Sequence, residues 1–427
     1  MALTIESGDA ASSAPGRPGM LENIREVWAD RTAFKVLVLC AAVAFLDGVD
    51  TQLVAGFAPV ISNAFGIKIA QFSLVFSAGL FGMMVGSLIF GSLADRFGRK
   101  LMIVASMLIF SGGTVATAFG GTLGYFVFIR FVTGLGIGGA LPNLLALTAE
   151  YAPARARVFV MSAMYCGYPL GGVAFGLVGS LLVHAVAWHM AFLLCGLLSL
   201  LFALPVGLFL PESRELRSVR TAADPPAGSR IASLFSDGRA IQTLLLWAAM
   251  FMTLMIILFT VSWINALLVR NGVPISSAIL YPAFFAFGGI LGGVLIGGLM
   301  DRYPAERVLA IVLTIGAVAL GSMFWTVNKP ALLFVSTLIA GMMIAGGQIG
   351  LQSVAATLYP PAVRSTGVGW ALGIGRIGSF IGPLIGGALL AVQWPSSAIL
   401  AIMGIPALLA AVALILLERN TARSPRN

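Results

Sequence analysis

The sequence predicts an all-α, polytopic membrane protein whose twelve helices form two six-helix bundles, and three observations point to that fold class. Of 427 residues, 59% are apolar and only 10% are charged, and the mean hydropathy is +1.01. Soluble domains run nearer half apolar and a quarter charged, so this chain cannot make a water-solvated surface. Apolar runs of bilayer-crossing length, about 20 residues each, recur along the whole chain. The two halves of the chain also repeat one another.

The runs fall at 33–58, 71–93, 101–120, 123–148, 158–182, 187–210, 241–266, 277–299, 307–327, 331–355, 365–391 and 396–417. They divide the chain into a tail at 1–32, a bundle at 33–210, a linker at 211–240, a second bundle at 241–417 and a tail at 418–427. Asp224, Pro225, Pro226 and Gly228 mark the linker as a connector between bundles. Residues 1–32 hold five acids and three arginines, unlike the basic start and short apolar core of a cleaved signal, so the first run is expected to stay. The connectors leave no room for a soluble catalytic domain. Cys40, Cys166 and Cys195 lie within apolar runs, without metal-ligand spacing.

Orientation follows from the basic residues. Nineteen of the 25 lie in the tails and the loops on one side, against Lys68, Arg270 and Lys329 on the other. Cytoplasmic loops carry the Lys and Arg excess, so both termini and the linker are expected in the cytoplasm. The same bias accounts for the net charge of +9 with a lipid bilayer, and no nucleic acid, as the large partner. Trp188, Trp247, Trp325 and Trp394, near the ends of runs, read as interface anchors.

The repeat is visible as fixed offsets. A shift of 206 residues carries Gly82, Gly86, Gly91, Leu93, Asp95 and Arg96 onto Gly288, Gly292, Gly297, Leu299, Asp301 and Arg302. A shift of 208 carries Tyr151, Pro153, Ala154 and Gly167 onto Tyr359, Pro361, Ala362 and Gly375. Such repeats are a hallmark of transporters whose halves rock about a central site.

The loop Gly91-Ser-Leu-Ala-Asp95-Arg96-Phe-Gly98-Arg99-Lys100 resembles the signature loop of the major facilitator superfamily. Asp47-Gly48-Val49-Asp50-Thr51, the run Arg130 to Asn143 with its glycines and Pro142, and Leu210-Pro211-Glu212-Ser213 narrow the likeness to the aromatic acid:proton symporters of bacteria. Ala140 to Glu150 and Met164 to Pro169 look most like the hydroxyphenylpropionate carriers among them. The sugar-porter ending of the sixth run is missing at Pro211-Glu-Ser-Arg214. The glycine-proline pattern of drug antiporters sits instead in the eleventh run, at Gly378, Gly382, Pro383, Gly386 and Gly387, where it reads as close helix packing.

Away from the ends of the runs, the ionisable residues are Asp47, Asp50, Arg130 and Arg376. Each is expensive in a membrane unless paired or watered, and so is a functional candidate. Asp47 and Asp50, three residues apart, share a helical face at a depth compatible with Arg130. In the fold that the resemblance implies, the first and fourth helices line the cavity, so an Asp–Arg pair is expected there. Its two readings are a structural ion pair and a proton-exchanging site, and the family's Asp-Gly-x-Asp motif maps onto Asp47 and Asp50. Arg376 has no acid in its own helix, and its fork suits an anionic substrate; a bond to backbone carbonyls is the alternative.

Tyr168, at the repeat-equivalent position of the fifth run, and the equivalent pair Phe81 and Phe287 are candidates to enclose an aromatic ring or to pack helices. Asn143, Gln348 and Gln352 are candidates for substrate contact or for helix-to-helix hydrogen bonds. The resemblance implies a gating role for the belt of Asp95, Arg96, Arg99, Lys100, Glu150 and Arg157, with Asp301 and Arg302 as its partial copy.

The expectation is a monomeric secondary transporter of the bacterial inner membrane. It would import a small aromatic carboxylate, such as a hydroxyphenylpropionate or hydroxybenzoate, together with a proton, by alternating access and without a cofactor or metal. A carrier of another organic anion, or an exporter of drugs or metabolites, is the alternative within the superfamily. A membrane enzyme lacks support, because the embedded charges have no nearby histidine and no phosphate-binding glycine loop is present. A receptor or channel would not need the repeat.

Overall fold

The computed structural model describes residues 30–153, 156–213, 234–236, 239–360 and 363–423. Twelve of its helices are long and apolar enough to cross a membrane. In the first half they are α1 (Arg31–Phe65), α2 (Ile69–Ala94), α3 (Arg99–Thr117), α4 (Leu123–Tyr151), α5 (Phe159–Leu182) and α6 (Trp188–Phe209). In the second half they are α7 (Ala240–Arg270), α8 (Ile275–Met300), α9 (Ala305–Thr326), α10 (Pro330–Leu358), α11 (Thr366–Ala391) and α12 (Ser396–Thr421). The expected linker residues Asp224 to Gly228 lie outside the described residues.

Each expected run coincides with one helix, and the largest difference is at the end of α1. Asp30 caps its start, accepting from the Thr32 and Ala33 N–H groups at 2.8 and 3.1 Å. The helix continues past the expected end at 58 because it accommodates Pro59, and it stops only at Gly66, whose φ of 61° suits glycine.

The repeat reappears as a repeated packing scheme. In the first half α1 packs on α5, α2 on α4 and α3 on α6; in the second, α7 packs on α11, α8 on α10 and α9 on α12. Glycines let the backbones meet. Gly82 and Gly86 of α2 face the carbonyls of Phe131 and Leu135, and Gly288 and Gly292 of α8 face those of Leu338 and Met342. The eleventh-run glycines do what close packing requires, with Gly378 and Gly382 against the α7 carbonyls of Phe251 and Met255.

The halves meet along α5–α8, α2–α11 and α1–α7. The largest apolar cluster crosses this seam: its first-half members, including Leu53, Phe57, Phe72, Phe76 and Phe175, all lie away from the termini, and they join Phe259, Trp263 and Ile279 of the second half. A second cluster, with Val36, Cys40, Ile103, Leu144 and Met164, lies on the terminal side of the first half alone. Among the described residues, therefore, apolar packing fuses the halves on the face opposite the termini and does not join them on the terminal face. Trp188, expected at an interface, is instead 4% exposed, within a ring cluster of Phe65, Phe126 and Phe192.

Candidate functional site

The four embedded charges come from α1, α4 and α11, and the fold separates the two aspartates. Asp50 is fully engaged: its Oδ2 accepts from Arg130 Nη2 at 2.7 Å and its Oδ1 from the Thr114 hydroxyl of α3 at 2.5 Å. Both partners of the ion pair are buried, the side chains being 4% and 6% exposed. Asp47, one helical turn away and 1% exposed, has one contact, from the Thr51 hydroxyl to its Oδ1 at 3.5 Å. Its Oδ2 has no hydrogen-bond partner. Asp50 and, across the seam, Arg376 lie within electrostatic reach of it.

Arg376 Nη1 donates to the Met83 carbonyl of α2 at 3.3 Å, so the alternative reading of a bond to backbone is realised in this conformation, and the bond spans the two halves. Counting about 1.5 Å per residue, Arg376 and Met83 lie at matching depth, roughly 15 Å from the terminal ends of α11 and α2. Tyr165 of α5 is also within electrostatic reach of Arg376 and Asp47. Tyr168 of α5 lies beside the Asp47 turn, its backbone carbonyl packed against Gly48. Gly48, between the aspartates, makes this approach possible, because a Cβ there would strike the Tyr168 carbonyl.

A cavity of about 50 Å³ lies between the halves, bounded by Thr51, Gly79, Met83, Arg130, Gly134 and Ser262. It has room for a few waters. The second guanidinium nitrogen of Arg130, Nη1, is buried without a protein partner, so Arg130 has hydrogen-bonding capacity left after its pair with Asp50.

The remaining candidates divide. Phe81 is 43% exposed at the seam, in ring contact with Phe131 and, across it, Phe380; its repeat partner Phe287 is 46% exposed. Asn143 donates to the Gly139 and Phe90 carbonyls, joining α4 to α2. Gln348 is 5% exposed, with a single contact to the Met250 thioether at 3.3 Å. Gln352, one turn on, is half-buried.

On the terminal face, Arg99 pairs with Glu150, Glu150 accepts from the Ser213 hydroxyl at 2.8 Å, and Glu212 accepts from the Lys100 N–H at 3.1 Å. Glu212 and Ser213 thus belong to the belt, and their signal was the Leu-Pro-Glu-Ser ending of the sixth run. Arg96 is exposed over Phe97, and Arg157, Asp301 and Arg302 are also exposed. The Asp95 side chain lies outside the described residues.

Known proteins resemble the chain over nearly its whole length. The family model of the Major Facilitator Superfamily matches residues 40–329 and 283–427. The 4-hydroxybenzoate transporter PcaK of Pseudomonas putida is 35% identical, over 90% of this chain and 92% of that protein. The 3-(3-hydroxy-phenyl)propionate transporter of Escherichia coli (strain K12) is 33% identical, over 90% and 94%. Among solved structures, a bacterial homolog of the human lysosomal transporter Spinster, in an inward-facing and unoccupied conformation, superposes with a TM-score of 0.74 at 19% identity, covering 93% of this chain and 99% of that one. With its twelve membrane helices, the chain is a multi-pass protein of the bacterial inner membrane that belongs to the Major Facilitator Superfamily, where it groups with transporters of aromatic acids.

Proposed function

We propose that the protein is a symporter that brings an aromatic carboxylate into the cell with a proton, the terminal face being cytoplasmic. The observation that carries this reading is the unpartnered Oδ2 of Asp47, buried one helical turn from the Asp50–Arg130 pair and within electrostatic reach of Arg376. An ionised carboxylate without a partner is costly in such a place, so Asp47 is suited to take up and release a proton as the halves rearrange. Asp50, held by Arg130 and Thr114, is the fixed counter-ion. Arg376 offers a fork for the substrate carboxylate, which would replace Met83 as its partner. The identities to hydroxybenzoate and hydroxyphenylpropionate transporters support the substrate class.

The test is uptake of labelled 4-hydroxybenzoate and 3-(3-hydroxyphenyl)propionate into proteoliposomes, with and without an imposed inward proton gradient. The gradient should drive accumulation in the wild type. Asp47→Asn should abolish that accumulation while leaving exchange of internal for external substrate intact. Gradient-driven accumulation by the Asn variant would remove Asp47 from the proton path, and uptake indifferent to the gradient would end the symport reading.

A further inference from the structure

We propose that Gln348 is the residue that reads a hydroxyl group on the substrate's ring, at the far end of the molecule from Arg376. The inference rests on the carboxylate site proposed above and adds to it a determinant of specificity.

Gln348 is nine-tenths buried. Its Oε1 has no partner, and its Nε2 has only the Met250 thioether, a weak acceptor. Reversing the amide would exchange the two atoms without satisfying both. At least one polar atom is left over in either orientation, and a phenolic hydroxyl, which both donates and accepts, can meet it.

The fold's own repeat shows that packing does not require an amide here. The carbonyls facing the paired glycines relate Phe131 and Leu135 of α4 to Leu338 and Met342 of α10 by 207 residues, whereas Tyr151 and Pro153 match Tyr359 and Pro361 at 208. One extra residue therefore lies between, and α10 absorbs it in the π-helical turn Gly341–Ala345. Beyond that turn the faces of the two helices correspond again at 208, so Gln348 occupies the place of Ala140, an apolar residue 1% exposed. The first half fills this place without a polar group.

The location fits a ligand held at Arg376. Gln348, Met250 and Arg376 each lie ten residues from the terminal end of their helix, a common depth of about 15 Å. Met250 links the other two: its thioether meets Gln348, and its carbonyl meets the face of Gly375, the neighbour of Arg376. On this assignment a rigid ring with a carboxylate at one end and a hydroxyl at the other spans from Arg376 to Gln348 at this depth.

The experiment measures equilibrium binding of benzoate, 3-hydroxybenzoate and 4-hydroxybenzoate to the purified full-length protein, for wild type, Gln348→Met and Gln348→Leu. The wild type should bind at least one hydroxy acid about tenfold or more tightly than benzoate. In a variant that remains monodisperse, the ratio should fall to within about twofold, with benzoate binding unchanged, because only the hydroxyl's partner is gone. The melting temperature of the ligand-free variants should equal or exceed that of wild type, since an unsatisfied buried group has been removed. A preference that survives both substitutions, a wild type without preference, or an equal loss of all three ligands would overturn the assignment. Failure of the wild type to bind any of the three, or 3-(3-hydroxyphenyl)propionate, would instead overturn the aromatic carboxylate reading, and this assignment with it; where the phenylpropionate alone binds, the same comparison is made between that acid and its ring-unsubstituted parent.

Discussion

At the scale of single residues, the decisive fact is that two aspartates three positions apart have different lives. Asp50 and Arg130 form a buried pair at 2.7 Å, and removing one partner of such a pair strands the other, at about 3–5 kcal/mol. Asp50→Asn and Arg130→Gln should therefore each lower the melting temperature in detergent, and the double variant should melt above either single one. Additive losses would show that the two side chains do not depend on each other. Arg376 calls for a different comparison. If its fork grips a carboxylate, Arg376→Lys should weaken substrate binding nearly as much as Arg376→Ala, because a point charge cannot reproduce two parallel hydrogen bonds. Normal binding by the Lys variant would mean that charge alone suffices. The sequence showed these four charges plainly, since an ionisable residue in an apolar run stands out. It did not show the hydroxyls of Thr51 and Thr114 or the Met83 carbonyl, which are ordinary groups made important by what lies opposite them.

At the scale of helices, close approach is the recurring device. Gly48 sits between the aspartates where α1 crosses α5, and a methyl group there would run into the Tyr168 backbone. Gly48→Val should push the helices apart, with a stability loss of about 1–3 kcal/mol and loss of transport even though every charge is retained. Unaltered transport by a folded Val variant would show that the α1–α5 spacing does not matter to the site. Helix lengths and most boundaries were legible, because the bilayer fixes how long an apolar run must be. Helix facing was not. These helices are apolar nearly all round, so no polar stripe marks which side of Phe81, Asn143 or Gln348 meets a neighbour. Asn143 turned out to bond two backbone carbonyls, while Gln348, of the same chemical class, keeps an unpartnered oxygen.

At the scale of the whole molecule, the conformation is closed by apolar packing opposite the termini, and under the proposed transport the two repeated halves are the bodies that would rock for the site to face the other way. A monoanion moving with one proton carries no net charge across the membrane. Uptake should then follow an imposed pH gradient and hardly respond to a membrane potential imposed at equal pH; strong accumulation driven by potential alone would require a second proton or another cation. Cysteine labelling offers a structural check in a background lacking Cys40, Cys166 and Cys195. Without substrate, Tyr165→Cys should react with a thiol reagent supplied from the side that carries the termini, and Ser77→Cys, whose native hydroxyl bonds the Phe380 carbonyl across the seam, should be protected from reagent on the other side. The reverse pattern would mean that the terminal face is the closed one.

By itself the sequence determined the membrane class, the twelve spans, the repeat and the small set of charges that require an explanation, because hydropathy, length and the cost of buried charge act locally and leave a mark at each residue. Only the tertiary structure decided which aspartate is paired, that Arg376 reaches across to the other half, that Glu212 and Ser213 complete the belt, and that Gln348 is left unsatisfied. Each of these depends on a partner brought from a distant helix by packing of near-uniform apolar surfaces. The orientation of such surfaces is set by backbone contact at glycines and by side-chain shape, neither of which a single helix records in its own sequence.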